Sequence, residues 1–187
     1  LYLFSRLIDD PDCSADYAQP VEVVNKKFEI RRIACGGKKY MPKEKLWPHL
    51  DEYVVNTLNH IRHEKLKCDW MHGHYADAGY VVAELSELLD IPFLFTSHSL
   101  GKIKQRRMQN TDLSPQAIAA LHFDERISAE EKAIIGSEFV ITSTKQERDS
   151  YSVYNSFSQS DFEVIPPGTD LKRFTPYLAE KYTGITS

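Results

Sequence analysis

Apolar and polar residues follow two different periods along this chain. Runs that are continuously apolar, or that alternate every second residue, predict β-strands over 1–8, 28–34, 70–72, 91–95, 139–142 and 162–165. Apolar residues spaced three and four apart predict helices over 46–61, 76–89, 130–135 and 144–151, whereas 105–125 are less regular. The alternation of strands and helices predicts an α/β fold with a mostly parallel sheet and helices on both faces.

The ends of this pattern predict how the chain is divided. Pro166-Pro167-Gly168 closes the last strand, so we expect one domain over 1–170 and a linker over 171–187. The chain opens directly on a strand without a starting methionine, and we expect it to be a piece of a longer protein.

Composition narrows the class of protein. The 187 residues are 42% hydrophobic and 27% charged, as in ordinary globular domains, and the net charge of −4 argues against a nucleic-acid binder. No apolar run approaches the ~20 residues that a membrane-spanning helix needs, and no signal peptide is visible. The three widely spaced cysteines fit neither a zinc nor a disulfide pattern. We therefore expect reduced, buried thiols in a cytoplasmic protein.

Two segments, 70–79 and 95–101, each predict a buried strand that ends in a polar, glycine-containing turn. Open α/β sheets bind ligands at such carboxyl ends of strands. The surrounding loops and helix starts supply cations and hydroxyl groups, namely Lys39, Lys43, Lys45, Tyr75, Ser99, Lys104 and Arg126. These groups suit a phosphate, which carries up to two negative charges and accepts several hydrogen bonds. The sequence therefore predicts a sugar-phosphate site at this edge.

Other ligands are less well supported. The chain lacks the G-x-G-x-x-G fingerprint and the P-loop, so a dinucleotide site loses its main evidence. His72 and His74 would share one face of a strand and, with Asp77, could hold a metal in a hydrolase. His98 is the further ligand available, but no carboxylate accompanies it, and we predict no metal. We interpret His72 as a satisfied core histidine and His74 as facing the crevice.

Two glutamates lie at an E-x7-E spacing that is associated with retaining glycosyltransferases. Glu130 falls in a predicted helix, however, and Glu138 falls just before a strand. We therefore reject a catalytic role for the pair and expect both side chains to be solvated charges near helix ends.

Several motifs together resemble sucrose-phosphate synthases. They are Gly-Gly-Lys-Lys-Tyr-Met-Pro-Lys (36–43), His-Gly-His-Tyr-Ala-Asp-Ala-Gly (72–79), His-Ser-Leu-Gly (98–101), Ile-Thr-Ser-Thr-Lys-Gln-Glu (141–147) and Val-Ile-Pro-Pro-Gly (164–168). They recur in family order across nearly the whole chain. The resemblance implies the amino-terminal, acceptor-binding half of a GT-B glycosyltransferase with a Rossmann-like sheet. Its first strand would precede Leu1, and the donor-binding domain would follow Ser187.

The resemblance also implies a reaction and a site. Such enzymes transfer glucose with retention from UDP-glucose (or ADP-glucose) to fructose 6-phosphate, giving sucrose 6-phosphate. The nucleotide sugar is the donor substrate, no cofactor is tightly bound, and neither nucleic acid nor membrane is a partner. His98 matches a residue lining the sugar pocket near the reacting carbon. The residues that match acceptor-phosphate ligands are Lys43, Tyr75, Ser99, Lys104 and Arg126.

One departure from the family pattern concerns this site. Members of the family often have Arg-Arg-Ile where this chain has Glu125-Arg126-Ile127, and Glu125 would repel a phosphate if it pointed inward. Two alternatives to a sucrose-phosphate synthase stay open. One is a related retaining glycosyltransferase with another donor or acceptor, and the other is a non-catalytic sugar-phosphate-binding domain. We expect the fragment alone to be inactive.

Overall fold

The strands form two sheets in a computed structural model that describes residues 1–171, 173 and 174. In the first sheet, β3 (Phe28–Ile33) lies between β1 (Tyr2–Arg6), which is parallel to it, and β2 (Val21–Asn25), which is antiparallel. The second sheet is wholly parallel, in the order β4-β5-β6-β7. Its strands are β4 (Met71–His74), β5 (Phe93–Thr96), β6 (Phe139–Thr142) and β7 (Phe162–Val164).

Helices connect the strands and flank the parallel sheet. The α-helices are α1 (Leu50–His63), α2 (Tyr75–Leu89), α3 (Gly101–Met108), α4 (Pro115–Ala119), α5 (Phe123–Gly136) and α6 (Lys145–Ser150). Short 3₁₀-helices occupy Ala15–Ala18, Lys43–Lys45, Trp47–His49, Tyr151–Val153 and Asn155–Gln159. None of the helices among the described residues is both long and apolar enough to cross a membrane.

The predicted α/β fold is confirmed, although the strands form two sheets rather than one, and helices α3 and α4 were not predicted. Strand β2 was not predicted, because its valines are exposed at the sheet edge and only Glu22 is half-buried, where it pairs with Arg32. Helix α5 begins at Phe123, well before the predicted 130. The predicted linker over 171–187 lies outside the described residues, except for Leu171, Arg173 and Phe174.

Helix α2 packs between α1 and α5. Leu50, Val54 and Leu58 of α1 contact Val81 and Leu85 of α2, which forms one apolar cluster. On its other side α2 approaches β5 and α5 closely at one point. A Cβ atom added at Gly79 would lie 2.5 Å from the Phe95 ring and 3.0 Å from Ala133 Cβ. The last glycine of the His-Gly-His-Tyr-Ala-Asp-Ala-Gly motif therefore serves packing, because no larger residue fits there.

A second apolar cluster joins the parallel sheet to α5. It includes Phe93, Phe95, Ala133, Ile134, Val140 and Tyr151, all of which are essentially excluded from solvent. This core holds β4 and β5 side by side, with His72 opposite Leu94 and His74 opposite Thr96 in the parallel register. The polar turns that follow both strands consequently emerge at the same edge of the sheet.

Candidate functional site

Four aromatic side chains at this edge form a continuous row, which we call the histidine row: His72, His74, His98 and Tyr75. The ring centroids of His72 and His74 lie 4.1 Å apart, those of His74 and His98 5.1 Å apart, and those of His98 and Tyr75 4.7 Å apart. Two residues of β4, the first residue of α2 and a residue of the turn after β5 thus meet in one row, because β4 and β5 are parallel and neighbouring.

The backbone is unusual where the row turns. Tyr75 has φ 68° and His98 has φ 56°, so both adopt the left-handed region that side chains seldom occupy. Such conformations cost free energy and persist where the surrounding structure demands them, often at functional sites. Here they project His98 and Tyr75 outward, and both residues are exposed.

A hydrogen bond of 2.8 Å joins Nδ1 of His74 to Nε2 of His98. One imidazole must donate and the other must accept, so this bond needs at least one neutral ring and restricts the tautomers of the pair. Burial and then the neighbouring His98 lower the pKa of His74. One proton is therefore held between Nδ1 of His74 and Nε2 of His98.

His72 is bonded but is not a core residue. Its Nε2 lies 2.8 Å from the Thr96 hydroxyl, yet the residue is exposed, so the interpretation as a core histidine was wrong. Because side chains alternate along a strand, His72 lies on the same face as His74. Although the residue as a whole is exposed, its ring is partly covered by its neighbours. This partial desolvation, followed by the charges of His74 and His98, lowers the pKa of His72 to about 4.

This low pKa predicts acid sensitivity. Above pH 6.5 the ring is neutral in both states, whereas between pH 6.5 and about 4 only the unfolded chain binds the proton. The free energy of unfolding should therefore fall as the pH falls through this window. Denaturant titrations of the full-length protein across these pH values should show a smaller fall for His72→Gln, whose amide can still bond Thr96. Parallel curves for variant and wild type would contradict the assignment.

The predicted phosphate ligands form a second group, the basic cluster: Lys43, Lys104, Arg126 and Ser99. The pKa of Lys104 is lowered, first by the charge of Lys43 and then by burial and the charge of Arg126. These influences require the three cations to lie close together, although they come from a 3₁₀-helix, α3 and α5. The structure thus brings together loops that are far apart in the sequence.

Ser99 and Arg126 contact each other directly. Nη2 of Arg126 donates to the Ser99 carbonyl at 2.7 Å and to its hydroxyl at 2.9 Å. The Arg126 side chain is only 12% exposed, which limits it to a defined orientation. Tyr75, the remaining predicted phosphate ligand, lies in the histidine row against His98.

The carboxylate of Glu125 is engaged elsewhere. It lies 2.8 Å from Nδ1 of His122, and that hydrogen bond lowers the pKa of Glu125. The same side chain lines a groove between α1, α2 and α5 with Trp47 and Tyr80. The departure from Arg-Arg-Ile therefore places a carboxylate against His122.

The prediction that Glu130 is a solvated charge was wrong. It is 0% exposed and accepts hydrogen bonds from the Gly101 amide, the Arg126 guanidinium and the Tyr154 hydroxyl. Glu138, by contrast, is exposed as expected. The burial of Glu130 had a signal in the sequence, because Phe123, Ile127 and Ile134 share its face at helical spacing.

Possible metal ligands and the cysteines were also located in the structure. Within residues 1–171, 173 and 174, no group of three or more His, Cys, Asp or Glu side chains is arranged to hold a metal ion. The three cysteines are free, but only Cys35 is buried, so the prediction that all three are buried was wrong.

Comparison with known proteins places this chain in a family. The model of Glycosyltransferase Family 4 matches residues 12–173. Sucrose-phosphate synthase 4 of Arabidopsis thaliana is 38% identical over 179 residues, which cover 83% of this chain and 17% of that protein. A probable sucrose-phosphate synthase of Thermosipho melanesiensis is 34% identical over 185 residues, covering 95% of this chain and 42% of that protein. The chain thus spans well under half the length of these relatives.

Solved structures agree with the fold. A sucrose-phosphate synthase of Thermosynechococcus elongatus superimposes with a TM-score of 0.74 at 24% identity, covering 94% of this chain and 40% of that one. Medicago truncatula UGT71G1, solved in complex with UDP-glucose, has a TM-score of 0.50 at 14% identity and covers 91% of this chain and 45% of that one. The fold is therefore that of a GT-B amino-terminal domain, and the chain belongs to glycosyltransferase family 4.

Proposed function

We propose that this chain is the acceptor-binding part of a sucrose-phosphate synthase. The full-length protein would transfer glucose from UDP-glucose or ADP-glucose to fructose 6-phosphate, with retention, in the cytoplasm. The observation that carries the proposal is the basic cluster beside the histidine row. Cationic side chains and imidazole rings lie at one sheet edge, an arrangement that suits a phosphorylated sugar acceptor.

The charges of the basic cluster favour an anionic ligand. Lys43 and Arg126 lower the pKa of Lys104, which means that their positive charges repel the Lys104 ammonium, an effect that Glu44 partly offsets. A phosphate dianion would remove this repulsion and accept charge-assisted hydrogen bonds from the cluster and from the Ser99 hydroxyl. The side chains, rather than the first amide of α3, would bind it, because Glu130 already accepts from the Gly101 amide.

The histidine row suits the transfer step. A retaining transfer through an oxocarbenium-like state depends on placing the acceptor hydroxyl and stabilising the leaving diphosphate. Hydrogen-bonded to His74, His98 presents an imidazole of restricted tautomer beside the basic cluster. We propose that it contacts the sugar at the reacting carbon. Closure of a donor-binding domain over this edge would exclude water and protect the donor from hydrolysis.

A screen of the full-length protein tests this function. The donors are UDP-glucose, ADP-glucose and other nucleotide sugars, the acceptors are fructose 6-phosphate, fructose and glucose 6-phosphate, and nucleotide release is measured. Release that requires fructose 6-phosphate, with sucrose 6-phosphate as the α-linked product, supports the proposal. Use of another donor or acceptor would indicate a related glycosyltransferase. Tight acceptor binding without release under any pair would indicate a non-catalytic sugar-phosphate-binding domain.

Metal content separates this function from the hydrolase alternative. We propose that His72 and His74 serve the sugar site, so the purified full-length protein should contain no stoichiometric transition metal, and exhaustive chelation should leave its transferase activity unchanged. Elemental analysis gives the metal content. About one tightly bound zinc per chain that disappears in a His72→Ala/His74→Ala variant would instead support a metal-dependent hydrolase.

A further inference from the structure

The buried carboxylate of Glu130 accepts hydrogen bonds from three residues next to the basic cluster or within it. Its Oε1 accepts from Nε of Arg126 at 3.0 Å and from the Gly101 amide at 3.1 Å. Its Oε2 accepts from the same amide at 2.9 Å and from the Tyr154 hydroxyl. A single carboxylate thus connects α5, the first residue of α3 and the 3₁₀-helical segment that follows α6.

This carboxylate cannot touch a substrate directly. Glu130 is 0% exposed, whereas its partner Arg126 reaches the surface and donates to Ser99. Burial raises the pKa of Glu130, while its bonds to Tyr154, Arg126 and Gly101 oppose that rise. A buried carboxylate with several donors around it is stabilised by them, and in return it fixes their positions.

The pairing determines which atoms of Arg126 face outward. Nε is directed to Glu130 and Nη2 to Ser99, so within the described part of the chain Nη1 is the guanidinium nitrogen left for a ligand. Because the guanidinium is planar, holding two of its nitrogens determines the direction of the third. The Ser99 hydroxyl is fixed in the same way through Nη2.

Close packing leaves this arrangement little freedom. A Cβ atom added at Gly101 would lie 2.7 Å from Oε2 of Glu130 and 3.1 Å from Nε of Arg126. A larger residue at position 101 would therefore have to displace the Glu130 carboxylate from these hydrogen bonds. The Ser-Leu-Gly segment and Arg126 form one rigid unit around Glu130.

We propose that Glu130 is a positioning residue that sets acceptor-phosphate specificity through Arg126 and the Ser99–Gly101 turn. This inference rests on the proposed function. The phosphate would be held by a preorganised Arg126 and Ser99, so that binding requires little ordering of these side chains. Weakening the Glu130–Arg126 pair should then reduce discrimination between phosphorylated and unphosphorylated acceptors, without removing the fold.

The neighbouring Glu131 provides a matched control. Its carboxylate accepts from Nζ of Lys102 at 2.6 Å and from the amide and hydroxyl of Ser156. It therefore bonds α5 to α3 and to the same 3₁₀-helical segment, but among the described residues its hydrogen bonds do not include Arg126. Glu131→Gln removes a similar charge from the same helix, and it should affect stability while leaving phosphate discrimination unchanged.

The experiment compares Glu130→Gln, Glu131→Gln and wild type in the full-length protein. The readouts are the kcat/KM values for fructose 6-phosphate and fructose, together with the unfolding temperature. Charge-assisted hydrogen bonds are roughly twice as strong as neutral ones. We therefore expect the ratio of kcat/KM for fructose 6-phosphate to kcat/KM for fructose to fall about fivefold to tenfold in Glu130→Gln. The expected change lies in the KM for fructose 6-phosphate rather than in kcat, and the ratio should be unchanged in Glu131→Gln.

A second variant tests the route through Arg126 even if Glu130→Gln folds poorly. Arg126→Lys keeps the charge but cannot reach Glu130 and Ser99 together, so it should lower the ratio to a similar extent. The ratio in the double variant Glu130→Gln/Arg126→Lys should be no lower than in either single variant, because both substitutions disrupt the same group of hydrogen bonds. Equal ratios in wild type, Glu130→Gln and Arg126→Lys would overturn the positioning role alone. A wild-type enzyme that does not prefer the phosphorylated acceptor would overturn the proposed function, and this inference with it.

Discussion

In the full-length enzyme, His98→Ala should lower kcat by roughly two to three orders of magnitude, comparable to the loss of one preorganised hydrogen-bond donor at a reacting centre. The KM for fructose 6-phosphate should change little, because the proposed phosphate contacts come from the basic cluster. His98 has the geometry for this role, with a left-handed backbone that projects its exposed ring and a 2.8 Å bond to His74. Steady-state kinetics at saturating donor would separate the two parameters.

The control for this substitution is His63→Ala. His63 is 85% exposed and lies at the end of α1, so its loss removes an imidazole without disturbing the histidine row. Its kinetic parameters should match those of wild type. If His98→Ala also turned over at the wild-type rate, His98 would have no part in the transfer step. This outcome would not depend on whether the basic cluster binds the phosphate.

Removal of either lysine of the basic cluster should weaken the use of fructose 6-phosphate. A hydrogen bond to a charged group contributes roughly 1.5–3 kcal/mol, so Lys43→Ala and Lys104→Ala should each lower kcat/KM for this acceptor by about tenfold to a hundredfold. Donor affinity and the use of fructose should change little, because neither involves the acceptor phosphate. The measurement is the ratio of kcat/KM for fructose 6-phosphate to that for fructose.

Lys67→Ala is the matched control for these two variants. Lys67 is exposed in the segment that leads into β4, at the opposite end of the strand from the site. Its removal changes the net charge by the same amount, so a long-range electrostatic effect would lower the ratio in all three variants. An unchanged ratio in Lys43→Ala and Lys104→Ala would disprove the phosphate site, even in an active glycosyltransferase.

Much of this molecule was predictable because its determinants are local. Alternating and helically spaced apolar residues correctly predicted the strands of the parallel sheet and the helices α1 and α2. Parallel strands end at one edge, so the positions of the turns after β4 and β5 followed from their order alone. The prediction that Lys43, Lys104 and Arg126 would come together at that edge depended on the same topology, and the effect of Lys43 and Arg126 on the pKa of Lys104 agrees with it.

Burial of individual polar residues depended on distant parts of the chain. Glu130 lies on the apolar face of α5, but its carboxylate is satisfied by Gly101 and Tyr154, which no local pattern associates with it. His72 shows the opposite error, because a short apolar strand suggested a buried ring and the structure leaves it exposed. The desolvation cost of a polar group is set by what packs against it.

The sequence by itself determined the family, the order of the strands in the parallel sheet, and the edge at which polar turns gather. Only the tertiary structure decided which side chains touch there. It paired His74 with His98, joined Ser99 to Arg126, and turned Glu125 toward His122. The physical reason is that periodicity reports the face of an element, whereas hydrogen bonds form between atoms whose separation depends on every packed element between them.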